Sequence, residues 1–455
     1  VGLRFRKLMA HDVGGQQSGY CATPHVGAEL AGEEGTPEPV ATKNPVIKAA
    51  LHVKWANLLQ KAGQHERAAE HFAASLAIVP SGQAYFGRGL ALAKLRRRQE
   101  AAEAFAAALE RCPRMVGARI NLAGLELALG HNESAASHCR EALAMEPDSR
   151  EAVMNLANAL RNLGRRKQAI GIVWDHILRH EAQSSPGKQP DMPTPLKTAT
   201  AETSDLPLVV ACLKWGKRYS AAYVNRLCAA VQRQLAMPAK FVCFTEDPTD
   251  LEQSVEPRPL PESLPLWWGK AYLFSEEAGL DGQRVLFLDL DQVIVGELNS
   301  LAHYQGDFAL LGTEDVACEL ASGGYNSSVI SWKASARLRP IYERLTPSVL
   351  RFVHRFDHWL EMMIEDAERW QAILPGKVVD YTTFFRNGVC LGSETDEGSF
   401  VAGEDAAATE LLQPSCSAPD PPVGCAIVTF PRSPKPHEVV DLHPWVRYHW
   451  LGPSG

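Results

Sequence analysis

The chain has 455 residues, with 46 Lys and Arg against 53 Asp and Glu for a net charge of −7. Hydrophobic residues make up 45% and charged residues 22%, which excludes a fibrous, collagen-like or wholly disordered protein. So mild a charge specifies neither a nucleic-acid nor a membrane partner, and no apolar run approaches the roughly 20 residues that span a bilayer. Ten cysteines are scattered without a Cys-x-x-Cys pair, which argues against a disulfide scaffold or a ribbon-type zinc site.

Residues 1–43 carry Gly14-Gly15, Gln16-Gln17 and the run Glu33-Glu34-Gly35-Thr36-Pro37-Glu38-Pro39. Such a composition buries little and reads as a flexible leader. Arg4, Arg6 and Lys7 are not followed by the apolar stretch of about 7 to 15 residues that a signal peptide needs. The expected location is therefore the cytoplasm, with reduced thiols. The sequons at Asn132 and Asn326 then carry no meaning.

Residues 44–182 form a repeat domain. Pro80, Pro113 and Pro147 recur at spacings of 33 and 34 residues. Gly63, Gly130 and Gly164 mark equivalent turns, with Arg96 standing where the second repeat lacks its glycine. Ala68, Ala101, Ala135 and Ala169 fall in phase, and Phe72, Phe105, Cys139 and Val173 follow four positions later. Small residues let paired helices approach, larger ones fill the space between repeats, and each proline closes a second helix. The pattern resembles the tetratricopeptide repeat, with four copies over roughly residues 49–182. The resemblance implies an α-solenoid. Asn121, Asn155, Asn158, Arg119, Arg161 and Arg165 fall where first helices line its concave groove. That surface is either a site for a protein partner or the solvated face of a spacer.

Residues 183–205 are rich in proline and small polar residues and read as a linker. From Leu206 the pattern becomes α/β. Leu208–Leu213, Phe241–Phe244 and Val285–Leu288 are short apolar runs separated by a helical stretch at 219–235. They predict a doubly wound, largely parallel sheet over residues 206–455, with reactive groups just past the strand C-termini.

That rule singles out Phe287-Leu288-Asp289-Leu290-Asp291. Two acids at i and i+2 after a buried strand can approach one hard cation, Mn²⁺ or Mg²⁺, together with diphosphate oxygens. Two enzyme classes share the local pattern, the nucleotide-sugar glycosyltransferases and the haloacid-dehalogenase-like phosphatases. In the phosphatases the motif opens the domain. Here it comes about 80 residues after the first strand, leaving room for a nucleotide-binding half.

The flanks extend the pattern. Trp267-Trp268-Gly269-Lys270 precedes the acids, Tyr325-Asn326-Ser327-Ser328 follows, and Pro434-Lys435-Pro436-His437 lies near the end. The ordered set over roughly residues 206–450 resembles bacterial glycosyltransferases with a GT-A-type fold, distantly similar to the glycogenin-like family 8 enzymes. The resemblance implies transfer of a sugar from a nucleotide-diphosphate donor to an acceptor hydroxyl, with a divalent metal, usually Mn²⁺. It gives Asp289 and Asp291 the metal and diphosphate, Lys270 the donor's phosphates or sugar, and Asn326 and Ser327 the sugar. Lys435 would neutralise the departing diphosphate.

In that family a histidine upstream of Lys-Pro completes the metal site, and this chain lacks it. His437 is the nearest substitute, as a metal ligand or as a hydrogen-bonding group in a turn. Asp357 is a candidate general base that would suit an inverting enzyme, whereas the resemblance leans toward retention; alternatively it is a helix-terminal acid beside core aromatics. Glu246-Asp247 reads as the start of a loop, Trp267 and Trp268 as core or sugar-stacking aromatics, and residues 391–424 as an insertion without chemistry. The rival functions are the phosphatase, for which Glu314-Asp315 is a poor second acidic pair, and a non-catalytic repeat scaffold with a degenerate transferase domain.

Overall fold

The protein is represented by a computed structural model that describes residues 43–184, 194–197, 206–261, 264, 266–313, 323–381, 420–431 and 433–452. The leader before Lys43, Glu314-Asp315 and most of the 391–424 stretch lie outside the described residues. Contacts divide the chain into two compact units between Ile172 and Val173.

In the N-terminal unit the helices run in pairs. They are α1 (Pro45–Lys61), α2 (His65–Ile78), α3 (Gly82–Lys94), α4 (Arg98–Arg111), α5 (Val116–Ala128), α6 (Asn132–Met145), α7 (Arg150–Asn162) and α8 (Arg166–Ser184). Helices α2, α4 and α6 each stop two residues before a proline. A proline drives the residue before it out of the helical region, and Val79, Cys112 and Glu146 take φ of −139°, −134° and −128°.

The turns inside the pairs need a left-handed residue. Gly63, Gly130 and Gly164 supply it at φ +74°, +83° and +72°, and Arg96 adopts the same conformation at +59° despite its side chain. Ala68, Ala101, Ala135 and Ala169 are fully buried, as are Phe105 and Cys139. Phe72 and Phe105 fill the space left by two glycines on α3. A Cβ on Gly87 would lie 2.3 Å from Phe72 Cζ, and one on Gly89 would lie 2.6 Å from Phe105 Cε1.

The division by contacts falls inside α8, so residues 173–184, read from the sequence as the end of the array, pack with the C-terminal unit. There the Trp174 ring lies 5.7 Å from that of Trp359, and His180 Nδ1 is 2.9 Å from Ser348 Oγ. Leu196, in the stretch read as linker, pairs with Ile364, its N–H donating to the Met363 carbonyl at 2.7 Å.

The C-terminal unit is built on a mixed sheet. Its strands are β1 (Leu208–Lys214), β2 (Ala239–Thr245), β3 (Glu256–Pro259), β4 (Arg284–Leu288), β6 (Phe308–Gly312), β7 (Tyr325–Lys333) and β8 (Glu368–Arg369), in the order β3-β2-β1-β4-β7-β6-β8. Strands β1 to β4 pair in parallel, but β7 runs antiparallel to both β4 and β6. The sheet is thus less parallel than the alternating pattern predicts. The reason is that β7, buried along all but its last residue, carries no signal of direction, and buried strands of either sense look alike in sequence. A second sheet of three strands has the order β5-β10-β9, from β5 (Gln292–Ile294), β9 (Val378–Asp380) and β10 (Ile427–Thr429). Strands β1 and β4 are buried along their whole length, which is why they read as continuous apolar runs. Among the described residues no helix is long and apolar enough to cross a membrane.

Candidate functional site

The chain leaves β4 at Leu288 and enters β5 at Gln292, so Asp289-Leu290-Asp291 forms the crossing from the large sheet to the small one. The crossing turns at Leu290-Asp291; Leu290 packs into the core, where it is 3% exposed, while both acids stay partly exposed beside it. Their backbones are pinned from both sheets. Asp289 N donates to the Ser328 carbonyl of β7 at 3.0 Å, and the Asp291 carbonyl accepts from Phe430 N at 3.1 Å, just past β10.

Each acid is met by a lysine. Lys270 is on a single turn of helix after the tryptophans, α9 being the longer helix Ala221–Gln234 and α10 this turn, Gly269–Tyr272. Its Nζ donates to Asp289 Oδ2 at 2.8 Å, to Ser327 Oγ at 3.1 Å and to the Ser327 carbonyl at 3.2 Å. Lys435 Nζ donates to Asp291 Oδ2 and to the Phe430 carbonyl, both at 2.8 Å. Burial pushes the Asp289 carboxyl up to about 6; Lys270 pulls it back, and the charges of Asp291 and Asp357 add to the rise.

Asp357 sits in the first turn of α11 (Phe356–Met363) and accepts the Ser327 N–H at 2.9 Å. It is both a helix-terminal acid and a neighbour of the acid pair. Asn326 is buried and its Oδ1 accepts from Ser328 N at 3.0 Å; the turn expected at Asn326-Ser327 is instead the first part of strand β7. The structure therefore brings Lys270, Asp289, Asn326, Ser327 and Asp357 to one end of β4, and Lys435 to the neighbouring Asp291.

His437 is exposed on α12 (Pro436–Val439). Its Nδ1 is hydrogen-bonded to the Tyr223 hydroxyl. Tyr223 belongs to a pair that the sequence reading missed. Tyr219 donates from its hydroxyl to Asp291 Oδ2 at 3.0 Å, and the two rings lie 4.8 Å apart. Burial, with the Asp291 charge next in weight, pushes both phenols up, Tyr223 to about 12. The available signal was two tyrosines four residues apart immediately after the first strand, at the entrance to α9.

Among the described residues no three His, Cys, Asp or Glu side chains are grouped to hold a metal ion. His437 therefore does not join Asp289 and Asp291 in a protein-closed triad. The donor set that is present, two neighbouring aspartates, fits an ion of a different kind. Mg²⁺-like cations are commonly held by one or two carboxylates and complete their shell with substrate phosphates and water.

Other sequence candidates have structural duties. Trp268 is 4% exposed, its ring 6.3 Å from that of Phe356. Glu246 Oε1 accepts from Gly216 N at 2.7 Å and the Asp247 carbonyl from the buried Lys214 Nζ at 3.0 Å, fixing the turn after β1. In the repeat unit Arg119 and Arg165 pair with Glu141 and Glu133, and Arg161 is buried. The repeat unit also has a cleft of about 530 Å³ bordered by α4, α5 and α6, lined by Glu103, Glu110, Leu122, Glu126, His131 and His138. It contains none of the residues gathered at β4.

Tetratricopeptide-repeat models match residues 53–115 and 126–173. Among solved structures, MamA is 18% identical over 30% of this chain and 80% of that one, with a TM-score of 0.29. The second TPR domain of human RPAP3, solved with an HSP70 peptide, is 22% identical over 26% of this chain and 98% of that one, with a TM-score of 0.25. An Arabidopsis OM64 TPR domain is 18% identical over 26% and 98%, also at 0.25. No curated protein matches the chain. The helical pairs of the N-terminal half are tetratricopeptide repeats.

Proposed function

We propose that the C-terminal unit is a GT-A-type glycosyltransferase that moves a sugar from a nucleotide-diphosphate donor to an acceptor hydroxyl. The observation that supports this reading is the convergence, at the end of β4, of two acids, two lysines and the Asn326-Ser327 pair of β7 from four separate parts of the chain. A carboxylate pair flanked by ammonium groups at the carboxyl end of a parallel strand suits an anionic, metal-chelating ligand.

In the mechanism, Asp289 and Asp291 would hold the divalent cation, Mn²⁺ or Mg²⁺, that the donor diphosphate requires. Such an ion, when bound, offsets the negative charge that develops on the leaving group. Lys435 adds a positive charge to the same end, and Lys270 serves the donor from the side of Ser327. Asn326 and Ser327 bound the sugar subsite. Asp357, oriented by the Ser327 N–H, is the carboxylate available to take the proton of an acceptor hydroxyl.

The tetratricopeptide repeats serve as a protein-interaction scaffold and recruit a protein partner or a protein-borne acceptor, since a solenoid offers an extended surface rather than a reaction pocket.

The test is to incubate the full chain with a panel of nucleotide-diphosphate sugars and Mn²⁺ and to follow nucleoside diphosphate release. Release that Asp291→Ala abolishes is the expected result. Absence of turnover and of donor binding would leave a repeat scaffold with a degenerate domain, which the missing upstream histidine favours. Release of phosphate from phosphomonoesters with Mg²⁺ would point to the phosphatase instead.

A further inference from the structure

Three carboxylates and two ammonium groups share the end of β4: Asp289, Asp291 and Asp357 with Lys270 and Lys435. An ammonium has three donors and no acceptor. All three of Lys270 are used, on Asp289, Ser327 Oγ and the Ser327 carbonyl. Asp291 Oδ2 already accepts from both Lys435 and Tyr219. One oxygen of each acid, Asp289 Oδ2 and Asp291 Oδ2, is thus held by an ammonium group. A divalent cation on the same carboxylates meets the repulsion of both ammonium charges as long as the lysines stay 2.8 Å from the acids.

A displaced lysine has few places to go. The Lys270 and Lys435 side chains are 12% and 10% exposed, and a buried ammonium needs a counter-charge. A diphosphate supplies one that the protein lacks. On the reading given above, we propose that Lys270 and Lys435 are exchange partners. Without a nucleotide they hold Asp289 and Asp291 against a divalent cation. As cation and donor enter, the lysines transfer from the aspartates to the diphosphate and the aspartates transfer to the cation. Cation and nucleoside diphosphate consequently bind as a coupled pair, and each raises the affinity of the other by the same factor.

The test measures binding rather than turnover. Mn²⁺ affinity of the full chain is measured by titration calorimetry and by the electron paramagnetic resonance of free Mn²⁺. It is measured alone and with UDP or GDP, with allowance for the complex formed in solution. Nucleotide should tighten Mn²⁺ by about 5- to 150-fold, the usual span of coupling between sites. Lys270→Met and Lys435→Met should each tighten Mn²⁺ alone, by about tenfold or more, while weakening nucleotide and shrinking the coupling. Lys435→Arg keeps the charge and should leave Mn²⁺ weak on its own; circular dichroism and melting check that each variant is folded. Tight Mn²⁺ binding by the wild type without nucleotide would overturn the proposal. So would methionine variants that bind Mn²⁺ no better than wild type. If no nucleoside diphosphate binds under any condition, the donor reading and the coupling both fail, whereas tighter Mn²⁺ in the methionine variants would still show the lysines guarding the acids.

Discussion

Lys435 Nζ donates to Asp291 Oδ2 at 2.8 Å although 144 positions separate the two residues. Their side chains are 10% and 15% exposed, so the ion pair is largely withdrawn from water. Removing one partner from such a pair leaves an uncompensated charge, which costs about 3–5 kcal/mol. Lys435→Met and Asp291→Asn should each destabilise the C-terminal unit by about that amount in urea unfolding. The double variant should lose much less than the sum; additive losses would show that the two groups do not stabilise one another.

Asp289 gives a pH dependence of definite sign. Its carboxyl stands near 3.9 in an unfolded chain and is pushed up to about 6 in the fold, chiefly by burial. The folded state therefore binds this proton more tightly. The stability contributed by Asp289 is fully present below about pH 4 and is lost as pH rises through 6. Asp289→Asn lacks that slope. Between pH 4 and pH 7 the wild type should lose about 2 kcal/mol relative to the variant, measured by denaturant unfolding at each pH. A constant difference across the range would contradict the assignment.

The repeat unit makes a steric prediction. Alanine favours a helix over glycine by about 1 kcal/mol, yet Gly87→Ala would set a methyl 2.3 Å from the Phe72 ring. Overpacking of this kind costs about 1–3 kcal/mol. Gly87→Ala and Gly89→Ala should both lower the melting temperature. A companion change of Phe72→Leu should recover part of the loss at position 87 only, because Gly89 faces Phe105.

Arg96 predicts the opposite sign. It holds φ +59° where the equivalent turns use glycine, and a non-glycine residue in that region stores about 1 kcal/mol or more of strain. Arg96→Gly should stabilise the repeats by about 0.5–1 kcal/mol after the greater flexibility of glycine in the unfolded chain is counted. A lower melting temperature would mean that the arginine side chain contributes more than its backbone costs.

Much of this was legible in the sequence. A repeat is local, so the phase of Ala68, Ala101, Ala135 and Ala169, the three prolines and even the role of Arg96 could be read without coordinates. Strand β4 and the acids after it were legible for the same reason, since burial on both faces writes a continuous apolar run. The Tyr219–Asp291 and Tyr223–His437 contacts could not be read, because they join residues 72 and 214 positions apart. Nor could the antiparallel sense of β7.

Composition and charge set limits on this protein, and short-range periodicity alone determined the solenoid and the position of the acid pair. Only the tertiary structure decided which groups face those acids. Ion pairing and hydrogen bonding depend on distances of about 3 Å, and those are fixed by how the two sheets meet at residues 289–291, not by spacing along the chain.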